Sequence, residues 1–479
     1  MLDQRAFAMV RPVRPGSGGK MFDLAINNGR VLDPETYLNE PRNIGIADGA
    51  IAAIAIEPIE GRAEIDASGL CVAPGFIDLH SHGQTAENYE CKAMDGVTTA
   101  LELEVGVCPV GTWYAARERK ALINFGASSG HIPARMRVMG DSGALLPRDA
   151  AMNRIATGAE IDEISRLVQE GLDEGGLGVG LGLEYTPTAS AEEILGIFEL
   201  AAKYSRVVFV HMRYAGASTP GVIEAIEEVL ACSAAAGAPV HIVHLNSMAL
   251  TKAPKALAMI EGARKSGLDV TCEAYPYTAA ATRLDSAFFD AGWQQRRGVR
   301  EQDLLWIRTG ERLTPETLPV YRKEGGWVVI FMNTEETVEA IIRHPLVMVA
   351  SDGGLENGQG HPRSAGTYAR ILGRYVRERG TMSLLDAVRK CSLEPARRLG
   401  GMSAQMLRKG RIQIGADADI VVFKPDEVAD RATYAEPALF SRGFREVLVN
   451  GQMVVKEGRL VENATPGHAI RADATLVNR

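Results

Sequence analysis

The sequence predicts an α/β protein: a (β/α)8 TIM-type barrel with a small β-sandwich built from both chain termini. Three observations predict it. Short, near-continuous apolar strands alternate with helical stretches through the middle of the chain, the pattern of parallel strands buried on both faces. β-rich pieces with hairpin signals stand at both ends. Histidines and carboxylates recur where the middle strands stop, and in a barrel those strand ends build the active site.

Residues 1–21 read as a flexible N-terminal arm. They carry charges but no apolar stretch of signal-peptide length. Residues 22–70 read as short strands: "FDLAINNGRVLD" alternates and turns at Asn28-Gly29, and "NIGIADGAIAAIA" turns at Asp48-Gly49. Residues 405–479 look alike, with a strand in "ADIVVFK" and a strand pair across Asn450-Gly451 in "EVLVNGQMVVKEGRLVE". The two pieces are expected to close into one sandwich. Between them, residues 71–404 carry "VTTALELE", "LGVGLGLEY", "RVVFVHMR", "PVHIVHLN", "DVTCEAYPY" and "PLVMVASDG", separated by helical stretches. In one of these, Ser190 and Glu193 form a capping box, and Ile194, Ile197, Phe198 and Ala201 follow at helical spacing. A doubly wound open sheet is the alternative, but no GxGxxG follows an early strand. Residues 283–326 lack periodicity, carry many charges and tryptophans, and read as an insertion over one face of the barrel.

Composition narrows the function. The 479 residues are 46% hydrophobic and 23% charged, with a net charge of −8, so the chain lacks the basic footprint that nucleic acid or an acidic membrane requires. No apolar run is long enough to span a bilayer. The six cysteines show no CxxC spacing, and are read as reduced in a cytoplasmic protein. A small molecule is the expected partner, and a homo-oligomer is allowed for.

The chemistry starts in "VAPGFIDLHSHGQ", residues 72–84. Residues two apart on a strand point the same way, so Asp78, His80 and His82 share a face. Later strands end in His211, His244 and Asp352, another carries Glu184, and "ALELEVG" carries Glu102 and Glu104. One HxH alone is weak, but four imidazoles and several carboxylates at one barrel mouth read as a metal site. His241 falls on the opposite face from His244, and His131, His344 and His468 fit no such pattern. Nitrogen and carboxylate ligands suit zinc, one ion or two, which lowers the pKa of a bound water to about 7. Asp352 could take that water's proton and pass it to a leaving group.

These residues sit in motifs that resemble the amidohydrolase superfamily: "PGFIDLHSH", "VFVHMR", "VHIVHLN" and "SDGGLENGQGHPRSAGTYARIL". The narrower "CEAYPYTAAAT" and HPRxxGT motifs are similar to its N-acyl-D-amino-acid deacylase, or D-aminoacylase, branch. The likeness runs from about residue 22 to about residue 470. It implies that His80, His82, His211 and His244 bind metal, that Asp352 activates water and protonates the departing amine, and that Arg363 grips the substrate carboxylate. Tyr275 or Tyr277 is implied near the scissile carbonyl or that carboxylate. The implied reaction is deacylation of an N-acyl-D-amino acid by zinc-activated hydroxide.

Two positions depart from the pattern. The resemblance implies a cysteine ligand at the end of the second strand, where Val105 stands, with Cys108 three residues on. Glu184 is the preferred replacement ligand and Glu104 the alternative. Asn246 stands where many relatives have a lysine that helps hold a carboxylate. Rival readings are a cyclic amidohydrolase of dihydroorotase or hydantoinase type, a deaminase, and a non-catalytic scaffold. The first uses a carboxylated lysine on the fourth strand, and "LGVGLGLEYTP" has none. The intact histidines and Asp352 speak against the last.

Overall fold

The computed structural model describes residues 21–216 and 218–474. The expected arm thus lies outside the described residues, except for an exposed Met21. Eight strands form the central sheet: β1 (Phe76–Asp78), β2 (Val97–Val107), β3 (Asn124–Gly130), β4 (Val179–Gly182), β5 (Val208–His211), β6 (Val240–Ile242), β7 (Val270–Ala274) and β8 (Val347–Val349). Each lies parallel to the next in chain order. The ring closes just beyond the ends of β1 and β8. There the Asp352 N–H donates to the His80 carbonyl at 2.8 Å and the His82 N–H to the Gly353 carbonyl at 2.9 Å. Closure is reinforced by a buried ion pair, Lys92 Nζ to Asp78 at 2.7 Å. Ser351 joins it, donating from its hydroxyl to Asp78 at 2.6 Å.

Ile77, Leu79, Leu103, Phe209, Val243 and Met348, all from the ring or its strand ends, pack with Leu399, Met402 and Met406. Ile470 joins them, held by its N–H on the Phe125 carbonyl at 2.7 Å, so the C-terminal segment plugs the end of the barrel opposite the histidines.

Both termini contribute to one nine-stranded mixed sheet. In it Phe22–Asp33 pairs with Cys71–Pro74, which pairs with Ile420–Phe423, which pairs with Phe444–Val449. This sheet reaches Pro74, past the boundary expected at residue 70. The Asp48-Gly49 and Asn450-Gly451 turns form as expected, each with positive φ at both residues. Asn28-Gly29 does not turn the chain. Phe22–Asp33 runs straight through it with a register shift, because a bulge absorbs the left-handed Asn28 while the strand keeps its partner.

The capping expectation is half met. Ser190 accepts the Glu193 N–H at 3.1 Å, and Ile194, Ile197, Phe198 and Ala201 are buried. The Glu193 carboxylate, however, turns inward to His131 Nε2 at 2.7 Å and to Arg135, since a buried guanidinium must keep its charged partner. The stretch 283–326 lies within a longer segment whose outer strands, Ala279–Arg283 and Trp327–Phe331, reach past those bounds. Ala279–Arg283, Trp327–Phe331, Leu304–Trp306 and Glu311–Arg312 form a four-stranded sheet over a separate core of Phe289, Trp293, Trp306 and Val328. Phe288, Trp327 and Ile330 of this segment line one cavity with His82 and His244, so it roofs the barrel mouth. Among the described residues no helix is long and apolar enough to cross a membrane.

Candidate metal centre

His80 and His82 leave β1 on one face, as their spacing requires, and His211 ends β5. His244 and Asp352 follow β6 and β8 with left-handed backbone, φ 31° and 51°. Such conformations cost side-chain-bearing residues about 1–3 kcal/mol and persist where surrounding structure enforces them. Here both turn a side chain into the mouth. β2 is the longest strand of the ring and slips register on β3 between Glu102 and Val107. Gly106, at φ 68°, makes that bulge feasible: a Cβ there would lie 2.5 Å from Ser128 Oγ and 2.7 Å from Gly130 Cα. The bulge carries the Glu104 carboxylate into the centre.

The side chains converge tightly. His80 Nε2 and His82 Nε2 are 3.1 Å apart, and each lies 3.4 Å from Asp352 Oδ1. Glu104 Oε2 is 3.5 Å from His80 Nε2 and 3.4 Å from His82 Nε2, while Oε1 is 2.9 Å from His211 Nδ1. His244 Nε2 is 3.0 Å from that same Nδ1. Two overlapping sets of donor atoms result: His80, His82 and Asp352, and His80, Glu104 and His244, each within 4.8 Å.

Every imidazole is fixed from behind. His80 Nδ1 meets Glu273 at 2.7 Å, His82 Nδ1 meets Glu102 at 2.9 Å, His211 Nε2 meets Glu184 at 2.8 Å, and His244 Nδ1 meets the Ser247 hydroxyl at 3.1 Å. With the outer nitrogens protonated toward these acceptors, the inner nitrogens turn lone pairs on one another and on Glu104. Lone pairs and carboxylate oxygens at such separations repel unless cations lie among them. This donor set fits divalent zinc: imidazole and carboxylate, buried, with an orienting partner behind each ring.

The electrostatics agree. Burial opposes charge on His80 and His82, but the carboxylates outweigh it: His82 is pushed up to about 10 and His80 well above its ordinary value. Burial likewise opposes ionisation of Glu104 and Asp352. His211 and His80 hold the first, and Arg363 and His80 the second, well below the usual carboxylate range. His244, buried and facing His211, drops to about 3. The centre is a nest of ionised carboxylates that calls for positive charge.

The structure sorts the remaining expected residues. Glu184 is not among the converging atoms. One of its oxygens sits on the far nitrogen of His211 and the other on the Arg297 guanidinium, because Gly182 ends β4 too early to bring the carboxylate between the two histidine pairs. Arg363 lies 2.9 Å from Asp352 Oδ2 and over the Tyr275 ring at 4.6 Å. Tyr275 lines the cavity above the centre, together with Tyr185, Met248 and Trp327. Tyr277 does not line it. Tyr277 is buried between His361 and Arg370, behind the wall, since residues two apart on this irregular segment diverge once β7 has ended. Asn246 also stays out of the cavity, accepting the Tyr275 N–H at 3.3 Å. Sequence reasoning missed Glu273. A carboxylate in mid-strand within "VTCEA" demands a buried partner, and that was the available signal. Glu273 also meets His241 at 3.2 Å, which gives the set-aside His241 a supporting place.

A model of the amidohydrolase family, Amidohydro_3, matches residues 63–255 and 245–455. The chain belongs to the amidohydrolase family. This amidohydrolase is 30% identical to N-acyl-D-glutamate deacylase of Alcaligenes xylosoxydans xylosoxydans, over 95% of this chain and 98% of that one. It superposes on N-acyl-D-glutamate deacylase from Bordetella bronchiseptica, solved with zinc and a phosphonate mimic of the tetrahedral intermediate, with a TM-score of 0.80. Identity there is 30%, covering 95% of this chain and 100% of the other. A D-aminoacylase structure matches with the same TM-score at 26% identity, covering 94% and 100%.

Proposed function

We propose that this amidohydrolase removes the acyl group from an N-acyl-D-amino acid at a zinc centre held by His80, His82, Glu104, His211, His244 and Asp352. The observation that carries the reading is Glu104, one oxygen toward the His80–His82 pair and the other toward His211. Glu104 would thus be the carboxylate that holds metal where the second-strand cysteine is missing. Glu184 becomes a positioning residue: by accepting from His211 Nε2 it keeps the Nδ1 lone pair facing inward.

When bound, zinc supplies Lewis-acid polarisation of the amide carbonyl and acidifies a water. Asp352 faces the same point with Oδ1, while Arg363 holds Oδ2 and keeps the group ionised at rest. It is thus ready to accept the water's proton and deliver it to the amine nitrogen as the C–N bond breaks, a contribution of about 10²–10⁴ in rate. Arg363, with Tyr275 beneath it, is proposed to orient the α-carboxylate. Guanidinium suits that role because it offers paired donors in one plane. Tyr275 at the cavity wall is proposed to donate toward the oxygen that gains charge. The deacylase relatives support the substrate class, and the zinc-bound structure of one supports the metal. Free thiols at all six cysteines support a cytoplasmic location.

The test is a screen of the zinc-loaded protein against N-acetyl and N-formyl D- and L-amino acids beside hydantoins and dihydroorotate. Release of free D-amino acid is expected. Turnover of the cyclic compounds alone would reject deacylation.

A further inference from the structure

The cavity above the metal centre runs on beneath a roof of Leu145 and Leu146, from the segment after β3, and Phe288, Ile330 and Met332 of the insertion. Met248 faces them from the segment after β6. Two further charged groups line this wall, Glu184 and Arg297, and they pair with each other. The Arg297 guanidinium lies against the Phe288 ring at 4.4 Å. Among the described residues, the neighbouring arginines are also engaged. Arg213 is paired with Glu228 at 3.2 Å and donates to the Pro187 carbonyl at 2.6 Å. Arg296 donates to the carbonyls of Asp290 at 3.0 Å and Ala291 at 2.6 Å.

A substrate reaching into this space meets apolar carbon, the mutually paired hydroxyls of Tyr185 and Thr282, and one neutralised ion pair. A carboxylate arriving there would lie beside the Glu184 carboxylate and find its nearest cation already bound, a costly placement in a buried site. An aliphatic, thioether or aromatic chain would instead exchange water for hydrocarbon, at about 25 cal/mol per Å² buried.

We propose that the substrate's side chain is apolar, and that Glu184 sets this preference by occupying Arg297. The proposal rests on the deacylase reading and sharpens it. One relative, 30% identical, is named for an acidic amino acid, yet here the arginine of the cavity wall is already paired with Glu184. Glu184 then serves two ends with its two oxygens, steadying His211 with one and neutralising Arg297 with the other.

The experiment compares kcat/KM of the zinc-loaded enzyme on N-acetyl-D-leucine, -D-methionine and -D-phenylalanine with that on N-acetyl-D-glutamate and -D-aspartate. The apolar group is expected to win by about 100-fold or more. Equal or better turnover of the acidic substrates overturns the proposal and leaves the deacylase reading standing. Turnover of none of the five removes both. Glu184→Gln supplies the second arm. Because His211 loses a charged partner, kcat should fall for every substrate, but the ratio of acidic to apolar kcat/KM should rise about tenfold or more as Arg297 is released. A ratio that stays put rejects the role assigned to Glu184, even if overall activity falls.

Discussion

Glu104 and His211 meet at 2.9 Å, carboxylate oxygen to Nδ1, where the two histidine pairs come together. Each group is buried, and the other oxygen of Glu104 lies 3.4 Å from His82. Glu104→Gln should therefore cost metal. An amide keeps the shape but loses the charge that offsets divalent cations, so zinc measured by plasma emission after desalting should fall by about half or more, with activity falling further. Wild-type zinc content in Glu104→Gln would remove the bridging role.

Asp352 pairs with Arg363 on one oxygen and faces His80 and His82 with the other. Asp352→Asn should lower kcat by about 10²–10⁴ while KM changes little, because the lost function is proton transfer rather than binding. Steady-state kinetics at matched zinc occupancy checks this. A kcat near wild type would show that another group moves the proton.

Arg363→Lys tests the carboxylate anchor. Lysine keeps the charge but not the planar pair of donors, and the change also loosens Asp352. KM for an N-acyl-D-amino acid should rise about tenfold with a smaller fall in kcat. For the same substrate with its carboxylate amidated, the variant and wild type should bind alike. Equal weakening on both substrates would assign Arg363 to Asp352 alone.

The closure of the barrel predicts a stability effect remote from chemistry. Lys92, Asp78 and Ser351 are all fully buried beneath the site. Lys92→Met strands the Asp78 charge and should cost about 3–5 kcal/mol in urea unfolding. Lys92→Met with Asp78→Leu removes both charges and should recover much of that loss. An unchanged midpoint in the single variant would show that the Lys92–Asp78 pair does not support the closure.

Chelation should lower Tm as well as activity. Metal bound to the native state alone adds about 4 kcal/mol when free metal exceeds Kd a thousandfold. Removing it leaves ionised carboxylates with only protons on His80 and His82 to offset them. Zinc should restore both properties. The apo protein should show the larger loss at neutral pH, since in acid protons on the histidines already compete with the metal.

Much of this was legible in the residues, and the exceptions have physical causes. His80 and His82 could be read from period-two geometry, and His211, His244 and Asp352 from polar residues ending apolar strands. β3 was not legible: "NFGASSG" has almost no branched or aromatic residues, and is held as a strand by its neighbours on both sides. Glu104 ranked behind Glu184 because a bulge shifts register without changing the local pattern, and only the close approach of β3 reveals why Gly106 is there. The family resemblance left Tyr275 and Tyr277 as alternatives, and the irregular chain after Ala274 is what sends them different ways. The pairing of Arg297 with Glu184 was not legible, because it joins residues far apart in sequence.

The most direct measurement is the rate of free leucine release from N-acetyl-D-leucine and N-acetyl-L-leucine by metal-free protein titrated with zinc. We expect no release without metal, a rise in D-leucine that saturates with bound zinc, and the L-isomer slower by about 100-fold. Release that ignores zinc, or none from either isomer alongside brisk opening of a hydantoin or dihydroorotate ring, would contradict zinc-dependent deacylation.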